Sequence, residues 1–425
     1  MSLTRDATGV LIANWAGGHT VPSRTLYPHQ WSWDSAFVAI GLRHLSARRA
    51  QRELESLFGA QWADGRIPHI VFDPTVPEAA YFPGPGFWRS ADVPGAPTVA
   101  TSGLIQPPVH ALAAWEVFLA DPAEARRRGF LPRLYPRLVA WHRYLTDRRG
   151  TGDAGLVAVV HPWETGMDNS PAWDGPLARI DPAPAGTFRR RDLTNAVAQE
   201  RPTDVDYGRY VRLATDYRDS GYADRMADRE FAVVDPMVNA LLACAERALA
   251  SIAEEIGADP AGHLARAGDL TATLIAELFD PVAGQCFPLD LRTGERIDAR
   301  TVAGLVPLLI PDLPVAASLV RTAMGRHFRL DSTALLPSYD LAGPAFEPTR
   351  YWRGPGWFKS TWLVWRGLLA NGEPGPAARL RDTMLTAVRR AGFREYVDPL
   401  TGAGCGTGDF SWTAALTLDL VHTGA

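Results

Sequence analysis

Cysteine is scarce in this 425-residue chain: Cys244, Cys286 and Cys405 are widely separated and form no CxxC pair. An odd number without ligand spacing excludes a disulfide framework and a cysteine zinc site, and it suits a reducing compartment. A surplus of either charge is also missing. Lys plus Arg number 43 against 47 for Asp plus Glu, and the net charge of −4 gives phosphate backbones and anionic lipid no long-range attraction. Nucleic acid is therefore not an expected partner. The N-terminal stretch "MSLTRDATGVLIANWAGG" has a polar start and only a short apolar run, too brief for a signal-peptide core or a membrane span. A soluble cytoplasmic protein with no membrane partner is expected, with homo-oligomer formation left open. Also absent are GxxxxGK(S/T), a strand-linked GxGxxG, GxSxG and HExxH, and the ten histidines form no ligand-spaced pair. No cofactor and no metal is implied.

What the chain does contain is 46% hydrophobic and 21% charged residues, enough for one large globular unit or two ordinary ones. Leu134, Leu138, Trp141 and Leu145 recur at helical spacing within 130–147, and Val234, Val238, Leu241, Ala245, Leu249, Ile252 and Ile256 do so within 231–257. Shorter stripes mark 34–45, 48–60, 109–120, 263–279, 315–327, 357–370, 376–391 and 411–421. Sustained period-two alternation is almost absent, so the chain reads as all-α. Two loops, about 68–108 and 150–207, are long enough to need a binding role, and both are rich in Gly, Pro, aromatic and amide residues. No compositional break divides the chain, and a single domain over 1–425 is expected. Helices alternating with such loops suit a toroid of paired helices, although periodicity alone does not separate this from a solenoid.

Fourteen tryptophans are many for this length, and several sit beside charged or amide groups. An indole offers a flat apolar face to a sugar ring as readily as to a core. In "HPWETGMDNSPAWD" (161–174), Asp168 follows Met167 and lies between Trp163 and Trp173, surroundings that would raise its pKa. Glycosidic cleavage needs such a protonated carboxyl together with a second carboxylate. A loop aspartate on its own is also a common turn-maker, and Asp174, before Gly175 and Pro176, fits that role better. In "FREYVDPLTGAGCGTGDFSWTAAL" (393–416), Glu395 is a second candidate or the partner of an arginine, and Asp409 is placed to cap the last helix. "TLYPHQWSWDSAF" (25–37) packs Tyr27, His29, Gln30, Trp31, Trp33 and Asp34 into eight positions, as a sugar site or as a buried helix start. "RYWRGPGWFKSTW" (350–362) interleaves arginine with tryptophan, for which cation–π packing is the alternative reading.

Together with "PHIVFD", "YFPGP", "TSGLIQPPV" and "RPTD", these segments resemble, in order and from about residue 15 to residue 421, the bacterial mannosylglycerate and glucosylglycerate hydrolases of glycoside hydrolase family 63. The resemblance implies an (α/α)6 barrel and an inverting α-glycosidase without a catalytic metal. It implies Asp168 as general acid and Glu395 as general base, with Tyr27, Trp31, Trp33, Asp34 and Gln106 around the sugar. Tyr351 and Trp352 would lie near the cleavage point, Arg201 and Tyr207 at the glycerate carboxylate, and Tyr81 on a closing loop. The implied partner is a small-molecule sugar, 2-O-glucosylglycerate or mannosylglycerate. The chain departs from the pattern before "FSW", where glycerate-acting relatives carry glutamine and this sequence has Asp409. A carboxylate there would repel an anionic aglycone, so a small α-glucoside with a neutral aglycone stands as the alternative. A sugar isomerase working through His29 or His161, and a non-catalytic sugar-binding protein, are the remaining readings.

Overall fold

The computed structural model describes residues 2–152, 155–194 and 197–423. Among them are twelve helices of nine residues or more. In chain order these are α1 (Leu3–Ala13), α2 (Ser32–Leu42), α3 (Ala47–Gly59), α4 (His110–Ala120), α5 (Phe130–Arg149) and α6 (Asp204–Asp219). They are followed by α7 (Pro236–Ile256), α8 (Ala261–Leu278), α9 (Ala316–Met324), α10 (Phe358–Ala370), α11 (Pro374–Ala391) and α12 (Ser411–Thr423).

Contacts between these elements close on themselves. α2 packs on α4, α4 on α7, α7 on the turns at Val306–Leu309, those turns on α10, α10 on α12, and α12 back on α2. This is the inner ring of an (α/α)6 barrel. Its fourth member is a pair of short 3-10 turns, Val302–Gly304 and Val306–Leu309, instead of a full helix. Outside the ring, α3 covers α2, α5 covers α4 and α7, α8 covers α7, α11 covers α10, and α1 covers α12.

Burial explains the assignment of helices to rings. Every residue of α2 is buried, Ser32, Asp34 and Ser35 included, and α12 is buried from Ser411 to Leu420. A helix enclosed on all sides needs apolar or internally satisfied residues around its whole circumference. α3 and α11 instead bury one stripe and expose arginines, as outer-ring helices should. At the start of α7, Pro236 occupies the first turn while the Asp235 carboxylate takes the Val238 amide at 2.9 Å, which sets the helix boundary.

All ten helical stretches expected from periodicity are present, and two helices were not expected. α1 opens on polar residues, and α6 lies where the second long loop was expected to end. Its buried stripe is Tyr207, Tyr210, Ala214 and Tyr217, aromatic instead of aliphatic. The three cysteines are buried free thiols. No helix among the described residues is long and apolar enough to cross a membrane.

Candidate active site

The first turns of α2, α10 and α12 meet at one end of the barrel, beneath the loops. There Trp33, Lys359 and Trp412 line a cavity that opens between the two long excursions. Trp352 and Trp357 add a stacked pair, ring centres 3.9 Å apart and 1° from parallel. Such a floor presents flat apolar faces to the C–H face of a pyranose.

Asp168 reaches this cavity on a loop held from several directions. His161 caps the helical turn Pro162–Thr165: its Nδ1 accepts the Trp163 amide at 3.0 Å, so Nε2 donates to the Tyr210 carbonyl at 2.9 Å. Gly166 then turns the chain with φ +70°, and a Cβ there would lie 2.3 Å from the Trp33 ring, so only glycine fits. The Met167 carbonyl accepts from the Trp173 indole at 2.8 Å, and the Asp168 carbonyl accepts from the Tyr210 hydroxyl at 3.0 Å. Asn169 takes the Trp352 amide at 2.9 Å, joining this loop to the one before α10. Behind it, the fully buried Glu164 pairs with Arg149 through two bonds of 2.7 and 2.8 Å. Glu164 also accepts the Val160 and Ile105 amides, coupling the Asp168 loop to the segment that carries Gln106.

Glu395 enters the cavity beside the three-stranded sheet of Gly356–Trp357, Tyr396–Val397 and Gly404–Cys405. Trp357 pairs with Tyr396 in register, which brings the start of α10 alongside Glu395. The carboxylate accepts from the Tyr27 hydroxyl at 2.9 Å and the Thr407 amide at 3.2 Å, and Arg201 Nη1 lies 3.6 Å away. Gly406, with φ +63°, passes so close that a Cβ would sit 2.5 Å from Glu395 Oε2.

The cavity gathers Asp168, Glu395, Tyr27, Trp31, Trp33, Asp34, Tyr81, Gln106, Arg201, Tyr207, Tyr351 and Trp352. Gln106 receives the Trp33 amide at 3.1 Å. Arg201 donates to Tyr27 at 3.0 Å, stacks 4.2 Å over the Tyr351 ring, and leaves Nη1 buried without a hydrogen bond. Tyr351 holds a left-handed φ of +42°, a costly conformation for a bulky residue, and its carbonyl is pinned by the Trp357 indole at 2.9 Å. Tyr207 donates to the Phe82 carbonyl at 3.1 Å, tying α6 to the Tyr81 loop. Phe82 of the first excursion, which lines the cavity, stacks on Phe188 of the second at 6.0 Å.

Asp409 does not belong to this group. It is exposed, outside the cavity lining, in a left-handed turn with φ +49°, and its backbone carbonyl accepts from Asn14. The carboxylate beside Arg201 is Asp192, 3.4 Å from Arg201 Nε and already paired with Arg190 at 2.6 Å. Near Arg201 the cavity thus carries a carboxylate from another loop, one already paired with an arginine. His29 and His161 do not line the cavity either, and burial lowers both, to about 4 and about 3. Sequence reasoning missed Lys359, Trp412 and Asp192. For Lys359 a signal was available: among 43 basic residues it is the only lysine.

Burial dominates the electrostatics. It raises Asp168 to about 6, against the pull of Arg201 and Lys359, so the carboxyl holds its proton closer to neutrality than an ordinary aspartate. Asp34 is raised to about 7 by burial, opposed chiefly by Lys359. Glu395 is raised by burial too, while Arg201, the Thr407 amide and the Tyr27 hydroxyl favour its ionised form. The two carboxyls thus share desolvation and differ in the donors around them.

A family model described as the mannosylglycerate hydrolase MGH1-like glycoside hydrolase domain matches residues 27–413. The chain is 40% identical to a mannosylglycerate hydrolase of Rubrobacter radiotolerans, over 99% of this chain and 97% of that protein. To a glucosylglycerate hydrolase of Mycolicibacterium hassiacum it is 37% identical, over 98% and 97%. The crystal structure of a family 63 mannosylglycerate hydrolase from Thermus thermophilus, in complex with Tris and D-glycerate, superposes with a TM-score of 0.92 at 41% identity, covering 99% of this chain and 100% of the other.

Proposed function

This chain belongs to the mannosylglycerate hydrolase MGH1-like glycoside hydrolase family, and from that membership we propose that it is an inverting α-glycosidase acting on 2-O-mannosylglycerate or 2-O-glucosylglycerate. The observation that carries the proposal is the convergence of Asp168 and Glu395 on one aromatic cavity that also holds Arg201.

In this reading the sugar lies on the tryptophan floor with its anomeric carbon between the two carboxyls. Asp168 gives its proton to the glycosidic oxygen as the C–O bond breaks. Glu395 takes a proton from a water that attacks the anomeric carbon from the opposite face, and the β-anomer is released. Inversion requires about 6.5 to 9.5 Å between the carboxyl groups, room for that water. Arg201 supplies the positive charge for the glycerate carboxylate, and its Nη1, 3.6 Å from Glu395 but without a hydrogen bond, is a donor to spend on it.

The experiment is incubation of purified protein with each glycoside, following glycerate release and reading the first-formed sugar anomer by proton NMR. Glycerate and β-sugar are expected. An α-anomer as first product refutes inversion. Absence of glycerate, with cleavage of a small neutral α-glucoside, replaces the glycerate aglycone with a neutral one.

A further inference from the structure

Lys359 is buried, 2% exposed, on the cavity floor at the start of α10. Its ammonium sits in the corner of two indoles that meet at 78°, 3.4 Å from the ring centre of Trp33 and 3.6 Å from that of Trp412. The described residues give it no hydrogen bond and no ion pair. Among the carboxylates facing it, Asp34 acts on it most strongly, ahead of Asp168 and Glu395. A buried ammonium has three N–H donors to satisfy, and two indole faces can take two of them. The third has no acceptor among the described residues.

The composition sharpens the point. Every other position in the chain that carries a long basic side chain is an arginine, including the buried Arg66, Arg149 and Arg201. A guanidinium is planar, wide and always charged, and it forks onto carboxylates; an ammonium is a compact point donor. Two perpendicular rings leave a corner for the second and not for the first.

We propose that Lys359 is a substrate-binding residue of the sugar pocket, its one unmatched N–H donating to a single hydroxyl of the pyranose that lies over Trp33 and Trp412. This rests on the glycosidase reading for the identity of the ligand as a sugar. The two indoles hold the ammonium in place before the sugar arrives, so no side-chain entropy is spent on binding, and a sugar lacking that hydroxyl strands a buried charged donor.

Because the chain has one lysine, ζ-15N-lysine labelling places a single side-chain ammonium signal in the NMR spectrum. Binding of glucose or mannose, followed in parallel by tryptophan fluorescence, is expected to shift that signal, and one deoxy sugar of the C2, C3, C4 and C6 series is expected to bind without shifting it. In the companion measurement, Lys359→Met lowers kcat/KM about 10- to 100-fold on the parent glycoside, as for loss of a hydrogen bond to a charged group. On the acid plateau, below the Asp168 titration, the same variant cleaves the corresponding deoxy glycoside as fast as wild type does. A signal unmoved at saturating sugar overturns the assignment, as does a variant whose relative rates across the deoxy series match those of wild type. Wild-type protein that hydrolyses no glycoside defeats the glycosidase reading alone, because the monosaccharide titration still decides the lysine.

Discussion

The same three inner helices carry two clusters of buried charge, one at each end, and the clusters behave oppositely. At the cavity end stand Asp34 on α2, Lys359 on α10 and Trp412 on α12. Further along, about one turn to two and a half turns away, lie Arg43 and His44 just past the end of α2, Trp362 and Arg366 on α10, and Asp419 on α12. At this far end everything is paired. Asp419 accepts from Arg43 at 2.8 Å, His44 at 3.0 Å and the Trp362 indole at 2.9 Å, and Glu116 bridges Arg43 at 2.7 Å to Arg366 at 2.5 Å. Although burial pushes the Asp419 carboxyl up, these partners hold it below the ordinary range. At the cavity end burial wins, with Asp34 at about 7 and Lys359 also at about 7, drawn toward neutrality from opposite directions. Equal burial therefore yields a fixed ionic clamp where donors are matched, and a set of labile protons where they are withheld for a ligand.

The widest separation between the two ends is expected from their carboxylates. Asp168→Asn should lower kcat by about a thousandfold, the usual contribution of a positioned acid, with no loss in thermal melting temperature. An activity within tenfold of wild type would remove Asp168 from the chemistry. At the far end the effects exchange. Asp419→Asn leaves Arg43 with a weaker partner in a dry site and should cost about 3 kcal/mol in denaturant unfolding, with kcat unchanged in the molecules that remain folded.

Stability against pH separates the ends by sign. A folded-state pKa lowered at Asp419 contributes stability that is present above the unfolded value of about 4 and is lost as pH falls through the folded value. A value raised to about 7 at Asp34 works in reverse: stability is greatest below about 4 and declines as pH rises through 7. At pH 8, Asp34→Asn should thus raise the melting temperature while Asp419→Asn lowers it. Shifts of the same direction would break the comparison.

A smaller effect is expected in the rate profile. With Asp168 at about 6, kcat/KM should fall as pH rises through that value, because the proton donor is lost. Lys359 lowers Asp168, so Lys359→Met should carry this alkaline limb to higher pH, and Arg43→Met at the far end should leave it in place. An alkaline limb that stays still in Lys359→Met would show that the two ends are electrically alike after all.

The barrel was readable in the sequence wherever a helix buries one aliphatic stripe, as α5 and α7 do. It was less readable where the stripe is tyrosine, in α6, or where 3-10 turns replace a helix, at 302–309. That Asp168 and Glu395 share a cavity was readable because loop motifs keep their order, "GMDNSP" around Asp168 and "EYVDP" from Glu395. The glycines at 166 and 406 follow from close approach to Trp33 and Glu395, which no spacing reveals. Lys359 was hidden for a different reason. Pattern reading looks for what recurs, and this residue is informative because it does not recur.

Asp409 is the sharpest case of a motif position read without its geometry, and it sets the smallest prediction. In the linear sequence it stands directly before Phe410, Ser411 and Trp412, and Trp412 lines the cavity, so a carboxylate there is expected to face the ligand. A left-handed backbone at Asp409 turns the chain away instead, and the side chain projects from the surface. An exposed charge across protein and solvent is screened to within a few tenths of a kcal/mol. Asp409→Gln should therefore leave kcat/KM on the glycerate glycoside within about twofold and stability within about 0.5 kcal/mol. Asp192→Asn, whose carboxylate does face the cavity beside Arg201, should change the KM for an anionic aglycone more than that for a neutral one. If Asp409→Gln moved KM more than Asp192→Asn, the aglycone would have to lie against the turn before α12 and not against Asp192 and Arg201.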